Sequence, residues 1–347
     1  MQTTSRLIPT LALGGALAFA GVMLAPDQAD TQEPQFTINF GTAAPEGTPW
    51  AAQLQDIKNR VEKDTAGKVK VRLFLSSVMG GEVEMTQDIV SGGRLQAGGF
   101  STAAVATGAN VPALQLPELP FLFRSNEEVD HVLDTVLYEP MKKKLKRRGL
   151  YLAYWAENGW RSFYTKTQDA TTLEGLRAHK MRVQESEVHK AMYKALGVQA
   201  VPIGTTEVLD ALNRGTVDGF DNTTLFGQAS GWFEPTKYYT LSKHIYQPAA
   251  IVYSRDFWTA LEEAGLDQTV LGDRQKETEK GRAGVRALEG ELVALFGDMG
   301  VSVVTPTQDQ LKPFVDATKS VHDEFKDQIG ADLYDSTQAA LTAFRAK

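Results

Sequence analysis

The chain has 347 residues, enough for about two domains and for a core that needs no covalent staples, and its 42% hydrophobic and 23% charged residues exclude disordered, collagenous and coiled-coil classes. With 36 Lys+Arg against 43 Asp+Glu the formal charge is −7, which argues against a nucleic-acid binder but leaves the sign of a small ligand open. There is no cysteine, so disulfides, thiolate nucleophiles and Cys-ligated zinc or iron–sulfur centres are excluded.

Met1–Arg6 carries one cation, and the run from Leu7 to Leu24 is uncharged and mostly apolar, with Ala18-Phe19-Ala20 as a small-x-small cleavage site. This predicts a secretory signal peptide over residues 1–20, cleaved between there and about residue 34, and hence a periplasmic product. A membrane anchor is the competing reading; Pro9 and the leader's glycines and alanines weaken it. Asp27–Pro34 reads as a polar linker.

Gln35–Thr42 alternates as a strand. Thr48-Pro49 opens a helix whose apolar face is Trp50, Leu54, Ile57 and Val61, with Gly67 as its stop. Lys68–Leu75 alternates again, which predicts a βαβ unit and a parallel pair. Glu82–Ser91 reads as a helix and Leu95–Phe100 as a strand. Pro112, Pro117 and Pro120 make Pro112–Phe123 an irregular buried connection rather than a helix. Asn126–Arg148 reads as one helix whose basic end, Lys142–Arg148, faces water before Gly149. A second α/β series follows, with strands at Leu150–Ala156, Arg161–Lys166, His179–Gln184, Gln199–Pro202, Val217–Phe220 and Ala249–Ser254. Helices are predicted at Ser186–Leu196 and Glu207–Asn213. Leu266–Met299 is long, charged and helical, with glycines that put its continuity in question. Val301–Val304 and two helical stretches finish an α/β chain.

No G-x-S-x-G elbow, Walker A loop or dinucleotide fingerprint is present. None of the five histidines forms an H-x-x-x-H or H-E-x-x-H pair. Glu185 and His189 stand at i, i+4 with no third ligand in view, a solvated helix face rather than a metal site. No metal and no cofactor is predicted, and the balance shifts from catalysis to binding.

One block carries more. Leu173-Glu174-Gly175-Leu176 precedes Lys180-Met181-Arg182-Val183, then Ala195-Leu196-Gly197-Val198, Val201-Pro202 and Thr206-Glu207-Val208. Ala211-Leu212-Asn213-Arg214-Gly215 and Val217-Asp218-Gly219-Phe220-Asp221-Asn222 complete it. Together these resemble the solute-binding proteins of tripartite ATP-independent periplasmic (TRAP) transporters, the DctP family. Arg177, Val198, Asn213 and Asp221 depart from that family's pattern, while Leu119–Phe123 and Gly80-Gly81-Glu82 resemble its first-domain motifs.

The resemblance, over about Phe36–Arg345, implies a two-lobed periplasmic-binding-protein-like (type II-like) fold with a hinge. Lobe I would take residues 36–158 and about 246–285, and lobe II residues 159–245 and about 286–347. Leu266–Met299 would be a lobe-spanning helix. The chain would be a monomer and no enzyme, closing on a small organic acid anion and serving the small and large TRAP membrane subunits. An exported α/β hydrolase and a ligand sensor are the alternatives.

By the same resemblance Arg182 pairs with the ligand carboxylate, which its planar fork of donors suits. Arg161 is either a second cation for the ligand or a salt-bridge partner. Asn222 either donates to the ligand or serves its own turn. Glu82 either accepts from a ligand hydroxyl or stabilises its helix N-terminus. Trp160, Phe226 and Trp232 either wall the pocket or belong to the core. Ser101 and Phe40–Ala43 follow first-lobe strands, where α/β sheets bind ligands. His244, Tyr246 and Gln247 fit the family pattern without a clear role.

Overall fold

The computed structural model describes residues 33–346. The expected leader and most of the linker lie outside the described residues. Among the described residues no helix is long and apolar enough to cross a membrane.

The first elements alternate: β1 (Phe36–Thr42), α1 (Pro49–Asp64), β2 (Val69–Phe74), α2 (Glu82–Val90), β3 (Ala97–Ser101) and α3 (Thr102–Gly108). β1 pairs parallel to β2 and β3, as the βαβ pattern requires. The Thr48 hydroxyl caps α1 and Pro49 is its first residue, as predicted. Pro112–Glu118 forms a short 3-10 helix, so the proline-rich connection is more regular than expected, although Pro117 keeps it from becoming an α-helix.

The predicted helix Asn126–Arg148 is α4 (Asn126–Val132), a π-helical turn (Leu133–Leu137) and α5 (Tyr138–Lys146). Pro140 explains the widening: it has no N–H to donate to the carbonyl four residues back, so the turn before it loosens. Then come β4 (Leu150–Thr165), α6 (Leu173–Arg177), β5 (Met181–Val183), α7 (Glu187–Leu196), β6 (Ala200–Pro202), α8 (Val208–Asn213), β7 (Gly219–Thr223), α9 (Thr224–Ala229) and β8 (Tyr238–Ser254). The chain ends with α10 (Arg255–Glu263), α11 (Asp267–Leu271), α12 (Arg274–Asp298), β9 (Ser302–Val304), α13 (Gln308–Ile329) and α14 (Ala331–Arg345).

Two expected strands, Leu150–Ala156 and Arg161–Lys166, are one. β4 runs through both, and β8 extends the predicted Ala249–Ser254 back to Tyr238. The two long strands run antiparallel and tie the nine strands of the described residues into one mixed sheet, ordered β2-β1-β3-β8-β4-β7-β5-β6, with β9 on β8. β3 takes the C-terminal part of β8, whereas β7 and β9 take the later part of β4 and the start of β8. The sheet thus has two halves that share β4 and β8. The register between them slips at Glu157/Gly159, where Gly159 adopts φ +108°, a conformation that disfavours a side chain.

Ile38, Phe40, Ile57, Val69 and Val71 pack with Trp258 in the first half, while Tyr164, Phe220, Tyr239 and Phe296 pack in the second. The long helix is shorter than the predicted Leu266–Met299. Gly272, at φ +68°, ends α11, and the Asp273 carboxylate caps a new start. α12 still bridges the halves. Glu277 pairs with Arg60 of α1, Arg282 and Arg286 make two-pronged bonds to Asp134 and Asp130, and Leu292 accepts from Gln228 of α9. α14 returns to α4, with Phe344 stacked on His131 and Arg345 on Glu128.

Candidate functional site

A cleft with about 680 Å³ of empty space, part of it open to solvent, lies between the sheet halves. β1, β5 and β7 end on it, the position where α/β sheets hold ligands. The first half contributes Thr42, Trp50, Gln53 and Glu82; the second contributes Arg182, Gln184, Asn222, Phe226 and Trp232. Asn158, Arg161 and Gln247 come from the two shared strands.

The two arginines are electrically different. Arg161 is buried, lines the cleft and is paired with a carboxylate. Its Nε donates to Asp221 Oδ2 at 2.6 Å, its Nη2 to the Asp221 carbonyl, and its Nη1 to Gln247 Oε1 at 2.8 Å and Gln184 Oε1 at 3.1 Å. Burial opposes the charge on Asp221, but the Arg161 guanidinium overrides it and holds the carboxyl well below its usual range. Of the two roles open to Arg161, the salt bridge is present, while Nη2 donates to a single described acceptor at the cleft.

Arg182 is equally buried but keeps only one bond, from Nε to the Ile203 carbonyl at 2.9 Å. Its guanidinium lies over the Trp232 ring, 5.2 Å from the centroid. Among the described residues no carboxylate lies within 4.0 Å of it. Burial, then the like charge of Arg161, lower its pKa to about 10 against the pull of Asp221, so it stays cationic at neutral pH.

Glu82 opens α2 and faces the cleft. Its oxygens accept the Ser101 amide at 2.9 Å and the Ser101 hydroxyl at 2.8 Å. Burial raises its pKa against those bonds. Asn222 accepts from Thr223 N and from Arg161 Nη1 through its side-chain oxygen, and its amide nitrogen donates to no described residue. Both readings of Asn222 are therefore compatible, since the oxygen serves the turn and the nitrogen remains for the cleft.

Phe226 and Trp232 line the cleft, edge to face at 5.2 Å. Trp160 does not. Its indole donates to Asn126 at 2.8 Å and its ring packs on Tyr246. The reason is strand alternation: Arg161 points into the cleft, so its neighbour points away. Ser101 is also displaced from the lining; it sits behind Glu82 and caps α3. Trp50, Gln53, Asn158 and Gln184 line the cleft without having been singled out. Gln184 was within reach, because two residues after Arg182 a strand returns to the same face. Trp50 was masked by its fit to the apolar face of α1. Glu185 is exposed, whereas His189 is buried and pairs with Glu118 instead. Among the described residues no group of three or more His, Asp or Glu could hold a metal ion.

The chain is similar over most of its length to known solute-binding proteins. A solute-binding protein of Verminephrobacter eiseniae is 28% identical over 340 residues, 98% of this chain and 97% of its own. The sugar acid binding protein DctPAm of Advenella mimigardefordensis, solved with galactonate, superposes with TM-score 0.82 at 25% identity, covering 88% of this chain and 98% of that one. A TRAP periplasmic solute binding protein of Sulfurospirillum deleyianum, solved with succinate, gives the same TM-score and identity, covering 88% and 99%. These relatives are binding proteins, not enzymes. The DctP family model, described as bacterial extracellular solute-binding protein, family 7, matches residues 40–328, and the chain belongs to that family.

Proposed function

We propose that this chain captures the anion of a small organic acid and delivers it to TRAP membrane subunits for ion-gradient-driven uptake. One observation carries the reading: Arg182 is a buried cation at the cleft with no carboxylate within 4.0 Å among the described residues. A ligand carboxylate supplies the missing charge and accepts the two free prongs of the fork. Asn222 and Glu82 then take ligand hydroxyls, one as donor and one as acceptor, while Trp50, Phe226 and Trp232 exclude water. Arg161 acts only indirectly, with its charge already spent on Asp221.

Residues 36–158 and about 246–285 form lobe I in this reading. Residues 159–245 and the segment from about 286 form lobe II, with α14 returning to lobe I. The slip at Glu157/Gly159 is the hinge, and closure sandwiches the anion between the lobes. The leader exports the chain to the periplasm, where it works as a monomer.

A thermal-shift screen of galactonate, glucuronate, lactate and succinate tests the reading. A bound acid at 100 times its Kd adds about 2.7 kcal/mol to stability. No shift with any of the four acids, at concentrations that saturate relatives, counts against it.

A further inference from the structure

We propose that Glu118, which does not line the cleft, is a positioning residue that sets the hydrogen-bond polarity of the cleft floor; the inference rests on the binding reading above. Glu118 ends the 3-10 helix and is fully buried. Its Oε1 accepts the Thr102 hydroxyl and the Ala103 backbone N–H, both at 2.6 Å. Its Oε2 accepts Gln247 Nε2 at 2.7 Å and faces His189 Nε2 at 2.8 Å. These partners come from α3, β8 and α7, so one carboxylate joins both sheet halves and a strand they share.

That contact leaves the Gln247 amide one orientation. Its nitrogen meets the acceptors Glu118 Oε2 and Gln184 Oε1, the latter at 3.0 Å. Its oxygen meets the donors Arg161 Nη1 at 2.8 Å and Asn158 Nδ2 at 3.3 Å. Turned over, it would set oxygen on oxygen and N–H on guanidinium N–H. Gln184 follows. Its oxygen is taken by Gln247 and Arg161, so its nitrogen donates to Ser101 Oγ at 3.0 Å. The Ser101 hydroxyl hydrogen is then left for Glu82 Oε2 at 2.8 Å. Hydrogen bonds of fixed polarity thus run outward from Gln247, on one side to buried Glu118 and on the other through Gln184 and Ser101 to the Glu82 carboxylate at the cleft surface.

An amide at 118 cannot hold this pattern. The Ala103 N–H can only donate, so the new side-chain oxygen must stay with it, and the new N–H faces the N–H of Gln247. Gln247 escapes by turning over, which sets its N–H on Arg161. Glu118→Gln should weaken binding about tenfold or more, measured calorimetrically with whichever of galactonate, glucuronate, lactate and succinate shifts the wild type most. The double variant Glu118→Gln/Gln247→Glu restores donor-to-acceptor pairing of residue 247 with residue 118 and with Arg161, leaves Gln184 to turn its N–H toward the new carboxylate, and should recover at least about threefold of the affinity that the single variant loses. A purely structural carboxylate would show no such rescue, because the double variant also lacks it. Glu118→Gln binding within about threefold of wild type, or a double variant no better than the single, overturns the proposal. If Glu118→Gln does not fold, Gln247→Glu alone sets two carboxylates face to face and should lose about tenfold; wild-type affinity there overturns it equally. One arm needs no acid. In ligand-free, 15N-labelled protein the Gln247 side-chain amide should exchange far more slowly than that of exposed Gln55, and equal rates refute the wiring. Failure of the binding reading looks different, because the wild type then binds none of the four acids.

Discussion

Arg182 offers the sharpest test of how the cleft holds an anion. Arg182→Ala removes a buried guanidinium and its two free prongs, and Arg161 cannot replace it while bound to Asp221 at 2.6 Å. Losing one partner of a buried, hydrogen-bonded charge pair costs roughly 2–5 kcal/mol. At about 1.4 kcal/mol per decade, affinity falls by about 30- to 3000-fold. Arg182→Lys discriminates further. An ammonium keeps the charge but not the planar fork, and it abandons the Ile203 carbonyl that Nε now satisfies at 2.9 Å. Calorimetry on the wild type and both variants, with the acid found by the screen, measures the two losses. If Arg182→Lys binds within about threefold of wild type, a difference of ~0.7 kcal/mol, the forked pair is wrong. The contact would then be a solvated one worth about 0–1 kcal/mol.

Three further outcomes are expected. Asp221→Asn strands the buried Arg161 charge and should cost roughly 3–5 kcal/mol in urea unfolding; a loss under about 1 kcal/mol would mean the pair is not structural. Burial raises the Glu157 carboxyl to about 7 against the pull of Arg286, so the folded chain holds a proton that the unfolded chain releases near 4.5. Stability from this group therefore declines as pH rises from about 4.5 to about 7, by up to roughly 3 kcal/mol. Glu157→Gln should remove that slope, and a wild-type-minus-variant stability difference that stays constant across the window refutes it. Saturating ligand should reduce the radius of gyration in small-angle scattering without altering the circular dichroism; an unchanged radius argues against closure of the lobes.

Much of the architecture is legible locally. Alternation in Phe36–Thr42 and Val69–Phe74, with a capped helix between them, is enough to predict a parallel βαβ unit, because each signal lies within one element. Glycines and prolines mark the stops, but of Gly272, Gly281, Gly284 and Gly290, which put the long helix in question, only Gly272 breaks it. The union of Leu150–Ala156 with Arg161–Lys166 was not visible. Gly159 looks like a terminator in sequence, and only pairing with β8 along its whole length carries the strand through it.

The candidate site divides in the same way. Arg182, Asn222 and Glu82 stand in motifs that resemble those of the family, so the resemblance nominates them, and strand period alone adds Gln184 and removes Trp160. Which of two arginines is free to bind an anion is not a local property. Arg161 is neutralised by a carboxylate 60 positions away, and Glu118 reaches Gln247 across 129. Coulomb and hydrogen-bond energies depend on distance in space and on burial, and neither is written in residue order. The sequence determines which groups can carry charge; the tertiary structure decided which charge was left without a partner.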